Sequence, residues 1–267
     1  MKKPLTQRQR LYLKYKFGLE QNLVSLDDIG SRDIIYDLYS KDVLLSNSDY
    51  PLDYIIGEIF IPELNILISV KEGVLLPRTE TIHWLQELLK RQLPDKSDVI
   101  IDVGTGTGLI GIAYAKNGYT VVTTDLFQAP LELAEYNRRI NNIQTMPILQ
   151  SDVLSSSKLI EIIGDTSWSI VSNLPYVPRS DMQQPTFQSI RYEPEEAIFA
   201  GVDGLDLVRT MATQIAGLKN KPNSIILELD PRNINFATTL FPDYQAEILN
   251  DYNGFNRLLV LKVDKLG

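Results

Sequence analysis

From Asp98 onward, short runs rich in Val, Ile and Thr alternate with longer runs of helical spacing, and this alternation admits few architectures. Strands are expected over 99–103, 120–124, 147–150, 169–172 and 224–229. Helices are expected over 109–116, 130–141, 158–163, 205–218 and 234–240. Strands joined through helices pair in parallel, and the crossover helices cover both faces of the sheet. Two further runs, 245–249 and 257–263, flank the turn residues Asp251-Tyr252-Asn253-Gly254-Phe255 and read as an antiparallel hairpin at an edge. The fold class is therefore α/β, a mostly parallel sheet closed by an antiparallel pair.

The chain ahead of this region is organised differently. Residues 1–55 look helical, with Leu11, Tyr12, Tyr15, Leu19 and then Ile34, Ile35, Leu38, Tyr39 at three- and four-residue spacings. The cations Lys2, Lys3, Arg8, Arg10, Lys14 and Lys16 cluster here, as a solvated helix face or as a docking arm for an acidic partner. In 56–95, Ile59-Phe60-Ile61 and Ile66-Leu67-Ile68-Ser69-Val70 flank Pro62-Glu63-Leu64-Asn65, a hairpin pattern, and a helix follows over 81–91. The third part, 96–267, carries the alternating pattern.

Composition removes several chemistries. With no cysteine and a single histidine, His83, there is no thiolate catalysis, no cysteine metal site and no histidine cluster, so no metal is expected. The 26 basic against 34 acidic residues give a net charge of −8, which disfavours generic nucleic-acid binding without excluding a local basic face. It favours a protein substrate with a basic surface. Neither a signal peptide nor a membrane span is legible, so a cytoplasmic protein acting as a monomer away from membranes is expected.

Asp102-Val103-Gly104-Thr105-Gly106-Thr107-Gly108 lies between an apolar strand and an apolar helix. Glycines there let the backbone turn tightly and approach a ligand where a Cβ would collide. A dinucleotide fingerprint needs G-x-G-x-x-G, but position 109 is Leu, which turns the reading toward S-adenosyl-L-methionine. Asp125, 21 residues after Gly104, ends the next strand and can accept from both ribose hydroxyls. Asp152, ending the third, can accept from the adenine amine. Asp102 can orient the loop or sit near the positive end of the methionine moiety.

The fourth strand ends in Asn173-Leu174-Pro175-Tyr176, the most specific signal in the chain. A nitrogen attached to a π-system is a poor nucleophile because its lone pair is delocalised. Two acceptors aimed at its N–H bonds favour pyramidal geometry and stabilise the growing positive charge. The Asn173 side-chain oxygen and the Leu174 carbonyl, held by Pro175, can be those acceptors, and Tyr176 can stack on the planar group. These residues point to N-methyl transfer.

Several segments together resemble the protein-glutamine N5-methyltransferases that modify the Gly-Gly-Gln motif of peptide chain release factors. They are Pro51 to Glu58, Leu76-Pro77-Arg78-Thr79-Glu80-Thr81, the loop from Asp102 to Gly108, Val171 to Val177, Tyr192-Glu193-Pro194 with Ala197, Gly201, Asp203, Gly204 and Leu205, and finally Asp251, Gly254 and Arg257. The resemblance implies a seven-stranded S-adenosylmethionine-dependent methyltransferase fold and a small helical N-terminal domain that helps hold the release factor. It implies that Gly104 to Gly108 and Asp125 bind the cofactor and that Val153 lines the adenine pocket. Asn173 would touch both cofactor and glutamine, with Leu174, Pro175 and Tyr176 completing the glutamine site. Arg78 would border the methionine end or serve in a surface or capping ion pair, and Glu193-Pro194 can buttress the substrate loop or simply end a turn. Where the family has a proline, this chain has Leu174, and Asn-Leu-Pro-Tyr is typical of adenine-N6 methyltransferases acting on RNA. Thr79, Ile82, Ala200 and Asp230 also depart from the family pattern. An adenine-N6 methyltransferase and a catalytically silent cofactor-binding paralogue therefore stand as alternatives. The segment 178–200 has few periodic apolar residues and is expected to be a mobile lid.

Overall fold

The strand Val99–Val103 (β3) is buried on both faces: Ile100, Ile101, Asp102 and Val103 are at most 1% exposed, as a central parallel strand must be. The coordinates are those of a computed structural model, which describes residues 5–19, 29, 31–41, 45–46, 50–184 and 190–263. Two units result, Met1–Ile59 and Phe60–Gly267.

In the second unit, β3 lies between Thr120–Asp125 (β4) and Trp168–Ser172 (β6), both parallel to it. Ile148–Gln150 (β5), Ser224–Glu228 (β7), Tyr244–Asn250 (β8) and Asn256–Val263 (β9) complete a seven-stranded sheet of order β5-β4-β3-β6-β7-β9-β8. The final pair is antiparallel, as the turn at 251–255 implies. The order reverses direction between β3 and β6, so the crevice for a ligand lies beyond the carboxyl ends of these strands. At the opposite end, Asp98 accepts from Ser167, Ser169 and Asn223 and ties three strands together. The core on one face runs from Ile101 and Trp168 through Leu174 and Met211 to Phe241.

The helices Leu109–Lys116, Gln128–Ile140, Ser157–Ile163, Asp206–Gly217 and Ile234–Thr238 follow their strands within a few residues of the sequence expectation. Residues Glu58–Ile61 (β1) and Ile66–Ser69 (β2) form the expected two-stranded hairpin. Sequence reasoning missed how the strand Ile66–Ser69 is held. Asn137 and Asn141, one turn apart on a helix, each donate to and accept from its backbone: Asn137 pairs with Ser69 and Asn141 with Leu67. Two side-chain amides thus stand in for a neighbouring strand. Asn137 also donates to the Thr107 carbonyl at 2.8 Å, which ties the hairpin to the glycine loop.

In the first unit, Gln7–Phe17 opens with a reciprocal capping box between Thr6 and Gln9 and closes on Gly18 in the left-handed conformation. Its buried residues are Tyr12 and Leu13, whereas Tyr15, placed in the apolar stripe by spacing alone, is 60% exposed. Without a partner surface to define the buried face, a short stripe cannot distinguish neighbours one position apart. Arg8 donates to the Tyr50 carbonyl and Lys16 to that of Ile56, so two of the cations brace their own unit. Lys2 and Lys3 lie outside the described residues. The helices Arg32–Ser40 and Leu52–Ile56 complete the unit's described helices of five residues or more.

Candidate active site

A cavity of about 770 Å³ opens beyond the carboxyl ends of β3, β4 and β6. Its wall includes Gly104 to Thr107, Asp125 to Pro130, Ser151 to Val153, Asn173 to Pro175, the strand-to-helix connection Gly73–Arg78, and parts of the 194–207 segment. Among the residues singled out from sequence, Asp102, Gly108, Tyr176 and Glu193 stand behind that wall.

The glycine loop is shaped by what a side chain would strike. Gly104 has φ +71°, and a Cβ there would lie 2.7 Å from Leu174 Cδ2. The loop backbone therefore sits directly against the residue that follows Asn173. Asp102 is wholly buried. Its Oδ2 accepts from Thr105 Oγ1 at 2.6 Å and Gly111 N at 2.9 Å, clamping the loop to the start of its helix. Burial pushes its pKa up to about 7, against the pull of those two donors. Of the two roles read for Asp102 from sequence, this geometry supplies loop orientation.

At the end of β4, Asp125 accepts from Gly106 N at 3.0 Å on Oδ2 and from Phe127 N at 3.1 Å on Oδ1. Burial raises its pKa. Each carboxylate oxygen keeps a second acceptor site, so the pair can take two hydroxyls without surrendering the loop. Beyond β5, Asp152 is exposed and Val153 has φ +54°, a strained conformation for a β-branched residue. Gln214 holds this turn by accepting from Leu154 N and donating to the Asp152 carbonyl. Gln214 is not legible in the sequence, because a glutamine on an amphipathic helix carries no local signal.

Asn173 follows β6 directly, and Glu228 ends the neighbouring β7, one residue beyond the Ser172–Leu227 pair. The Asn173 Nδ2 donates to Thr81 Oγ1 at 2.9 Å. Thr81 Oγ1 and Trp84 Nε1 both donate to Glu228 Oε2 at 2.6 Å, and Tyr176 OH donates to Oε1 at 2.9 Å. Glu228 is 2% exposed, and burial raises its pKa while the three donors and the Arg257 charge oppose that rise. Among the described residues, nothing donates to the Leu174 carbonyl. Tyr176 does not line the cavity; its hydroxyl is spent on Glu228 and its ring packs against the core.

Arg78 and Glu193, named separately from sequence, form one pair at 2.8 Å. Glu193 also accepts from Leu76 N at 3.1 Å and is 6% exposed. It fixes the connection 75–78 from behind while Arg78 faces the cavity. Glu193→Ala is expected to lower kcat/KM at least about tenfold, since it leaves a buried N–H and a guanidinium without partners. Glu193→Gln, which keeps one acceptor, is expected to recover much of it, read from initial rates. The segment 178–200 is anchored at both ends. Val177 N donates to the Ile198 carbonyl and Ala200 N to that of Val177. Residues 185–189 at its centre lie outside the described residues. His83 packs edge-on to Tyr252, away from the cavity wall. Among the described residues, no cluster could hold a metal ion, and no helix is long and apolar enough to cross a membrane.

Residues 83–194 match the family model described as Methyltransferase small domain. The release factor glutamine methyltransferase of Deinococcus radiodurans is 31% identical over 217 residues, spanning 78% of this chain and 73% of the relative. That of Lactococcus lactis is also 31% identical, over 79% of this chain and 77% of the relative. The chain belongs to the release factor glutamine methyltransferase family. The Streptococcus pneumoniae member is 29% identical over 94% of this chain and 86% of its own. The fold is also that of the hMettl16 catalytic domain, solved in complex with MAT2A 3'UTR hairpin 1, at a TM-score of 0.61 and 14% identity, covering 98% of this chain and 97% of that one.

As a release factor glutamine methyltransferase family member, the chain is an S-adenosyl-L-methionine-dependent methyltransferase. The cavity fits that cofactor: a glycine loop along one wall, a largely buried carboxylate at the β4 end, and a mostly apolar stretch from Leu126 to Pro130 for the base.

Proposed function

We propose that this chain methylates the side-chain amide nitrogen of a glutamine in the Gly-Gly-Gln motif of a peptide chain release factor. The observation that carries the reading is the Asn173 amide. Its nitrogen is committed to Thr81, so its oxygen is what the residue offers to the cavity it lines. The Leu174 carbonyl, held by Pro175, supplies the second acceptor. A glutamine amide held between these two has both N–H bonds engaged and its lone pair freed for in-line attack.

Bound cofactor supplies a methyl group already activated by a sulfonium. The Asn173 oxygen and the Leu174 carbonyl would hold the amide nitrogen in line with that methyl group, which it would take with S-adenosylhomocysteine as the leaving group. One proton leaves the nitrogen for water, so no protein base is required during transfer. The chain's own contribution is to position, to stabilise charge growing on nitrogen, and to exclude water. The proposed cofactor contacts are Gly104, Thr105, Gly106, Thr107, Asp125, Asp152 and Val153, with Arg78 and Pro175 on the substrate side.

The Leu174 side chain is what favoured adenine as substrate, yet that side chain packs into the core and against Gly104. Its backbone carbonyl can serve a planar nitrogen in either reading, and the likeness to release factor glutamine methyltransferases favours glutamine. Mass spectrometry of a co-expressed release factor is expected to find 14 Da added to its Gly-Gly-Gln peptide, the mass of one CH₂ (about 14 Da). Label from tritiated cofactor in RNA, with none in release factor, would select the adenine alternative. Asp125→Ala is expected to weaken S-adenosylhomocysteine binding by roughly tenfold to a hundredfold, the worth of charge-assisted hydrogen bonds, measured by calorimetry. Unchanged affinity would remove Asp125 from the cofactor site.

A further inference from the structure

We infer that Thr81 and Glu228 act as positioning residues, a relay that fixes which end of the Asn173 amide faces the substrate. This rests on the proposed role of Asn173 as an acceptor. An asparagine amide presents nearly the same shape either way round, but opposite chemistry: an oxygen accepts from the substrate nitrogen, whereas an NH₂ would repel it. Something outside the amide must select the orientation.

The selection follows from donor arithmetic. The Trp84 indole nitrogen is a donor with no acceptor capacity, and it points at Glu228 Oε2 at 2.6 Å. Oε2 is therefore an acceptor. Thr81 Oγ1, also 2.6 Å from Oε2, gives its single proton there. Having spent that proton, it can only accept along its other contact, the one to Asn173 at 2.9 Å. The Asn173 NH₂ must fill that contact, and its oxygen is turned away from Thr81. Direction is thus passed from an indole, through a buried carboxylate and a hydroxyl, to the amide. Each link is desolvated: Thr81 is 4%, Trp84 4% and Glu228 2% exposed, so water does not substitute for a missing partner. Thr81 and Trp84 lie three residues apart on the face of Thr79–Arg91 turned to β7, which is how one helix supplies both donors. Tyr176, three residues after Asn173, donates to the other oxygen of Glu228 and holds the carboxylate plane.

Thr81→Val keeps the shape of the side chain and removes the acceptor. Initial rates with a release factor Gly-Gly-Gln domain are expected to show kcat lowered at least about tenfold, with affinity for S-adenosylhomocysteine by calorimetry unchanged. Thr81→Ser restores the hydroxyl and is expected to recover the rate to within about threefold. In an Asn173→Ala background, Thr81→Val is expected to have no further effect, because the group it orients is gone. Glu228→Leu, confirmed folded by circular dichroism, is expected to match the Thr81→Val loss. Wild-type kcat in Thr81→Val, or in folded Glu228→Leu, overturns the relay. So does an equal loss from Thr81→Val with and without Asn173, which would mean that Thr81 acts elsewhere. An Asn173→Ala variant at the wild-type rate overturns the role of Asn173 itself, and that result is distinct from an impaired Asn173→Ala beside a normal Thr81→Val.

Discussion

Asn173→Ala is expected to lower kcat by about a hundredfold or more, the scale for removing one preorganised hydrogen-bonding group from a site where charge develops. The loss should fall on kcat rather than on cofactor affinity. The groups that shape the cofactor end are the loop from Gly104, Asp125 and the turn at Val153; Gly106 N and Phe127 N hold Asp125, and Gln214 holds the turn, without help from Asn173. Truncation also leaves the Thr81 oxygen without its donor, but Thr81 keeps its bond to Glu228, so the fold should survive. Single-turnover rates with cofactor in excess, together with S-adenosylhomocysteine affinity by calorimetry, separate the two effects. A kcat within about threefold of wild type would remove Asn173 from the chemistry.

Gly204→Ala is expected to be the most damaging small change to the fold around the site. The residue has φ +80°, and a Cβ there would lie 2.1 Å from the Tyr176 carbonyl oxygen and 2.8 Å from its carbon. Backbone cannot swing aside as a long side chain can. Left-handed geometry costs an alanine about 1 kcal/mol, and the overlap should bring the total to about 3 kcal/mol or more. For a chain of this size that corresponds to a fall in Tm of roughly 6–12 °C. Relief of the clash must move the carbonyl of Tyr176, the last residue of the turn that presents Asn173 and Leu174, so kcat should fall even where the protein remains folded. Thermal unfolding and initial rates measured together check both halves. A Tm within about 2 °C of wild type would show that the approach is looser than the backbone implies.

The central parallel strands were legible because they are buried on both faces, so Val99 to Val103 and Trp168 to Ser172 must be almost uniformly apolar or small. The glycine loop and Asn173 to Tyr176 were legible because backbone conformation and chemistry both constrain contiguous residues. The helical stripe near Tyr15 was less legible, since a short amphipathic segment does not say which neighbour it buries against. Arg78 and Glu193 were each found, but not their pairing. Trp84 reads from sequence only as core or rim packing, and the roles of Glu228, Gln214, Asn137 and Asn141 are not legible there, because each acts on a partner far away in the chain. Thr81 and Glu228 are 147 positions apart, and Asn137 and Ser69 are 68 apart.

Local pattern by itself determined the order of strands and helices, the loop that must be glycine, and the stretch Asn173 to Pro175 that lines the cavity beyond β6. Each of these is a demand that neighbouring residues satisfy together, and such demands are written contiguously. Tertiary structure alone decided which way the Asn173 amide faces, that Asp102 holds the loop from behind, and that Tyr176 turns its hydroxyl to Glu228. Hydrogen bonds are directional and short, so their polarity exists only once distant donors and acceptors are packed together and water is excluded.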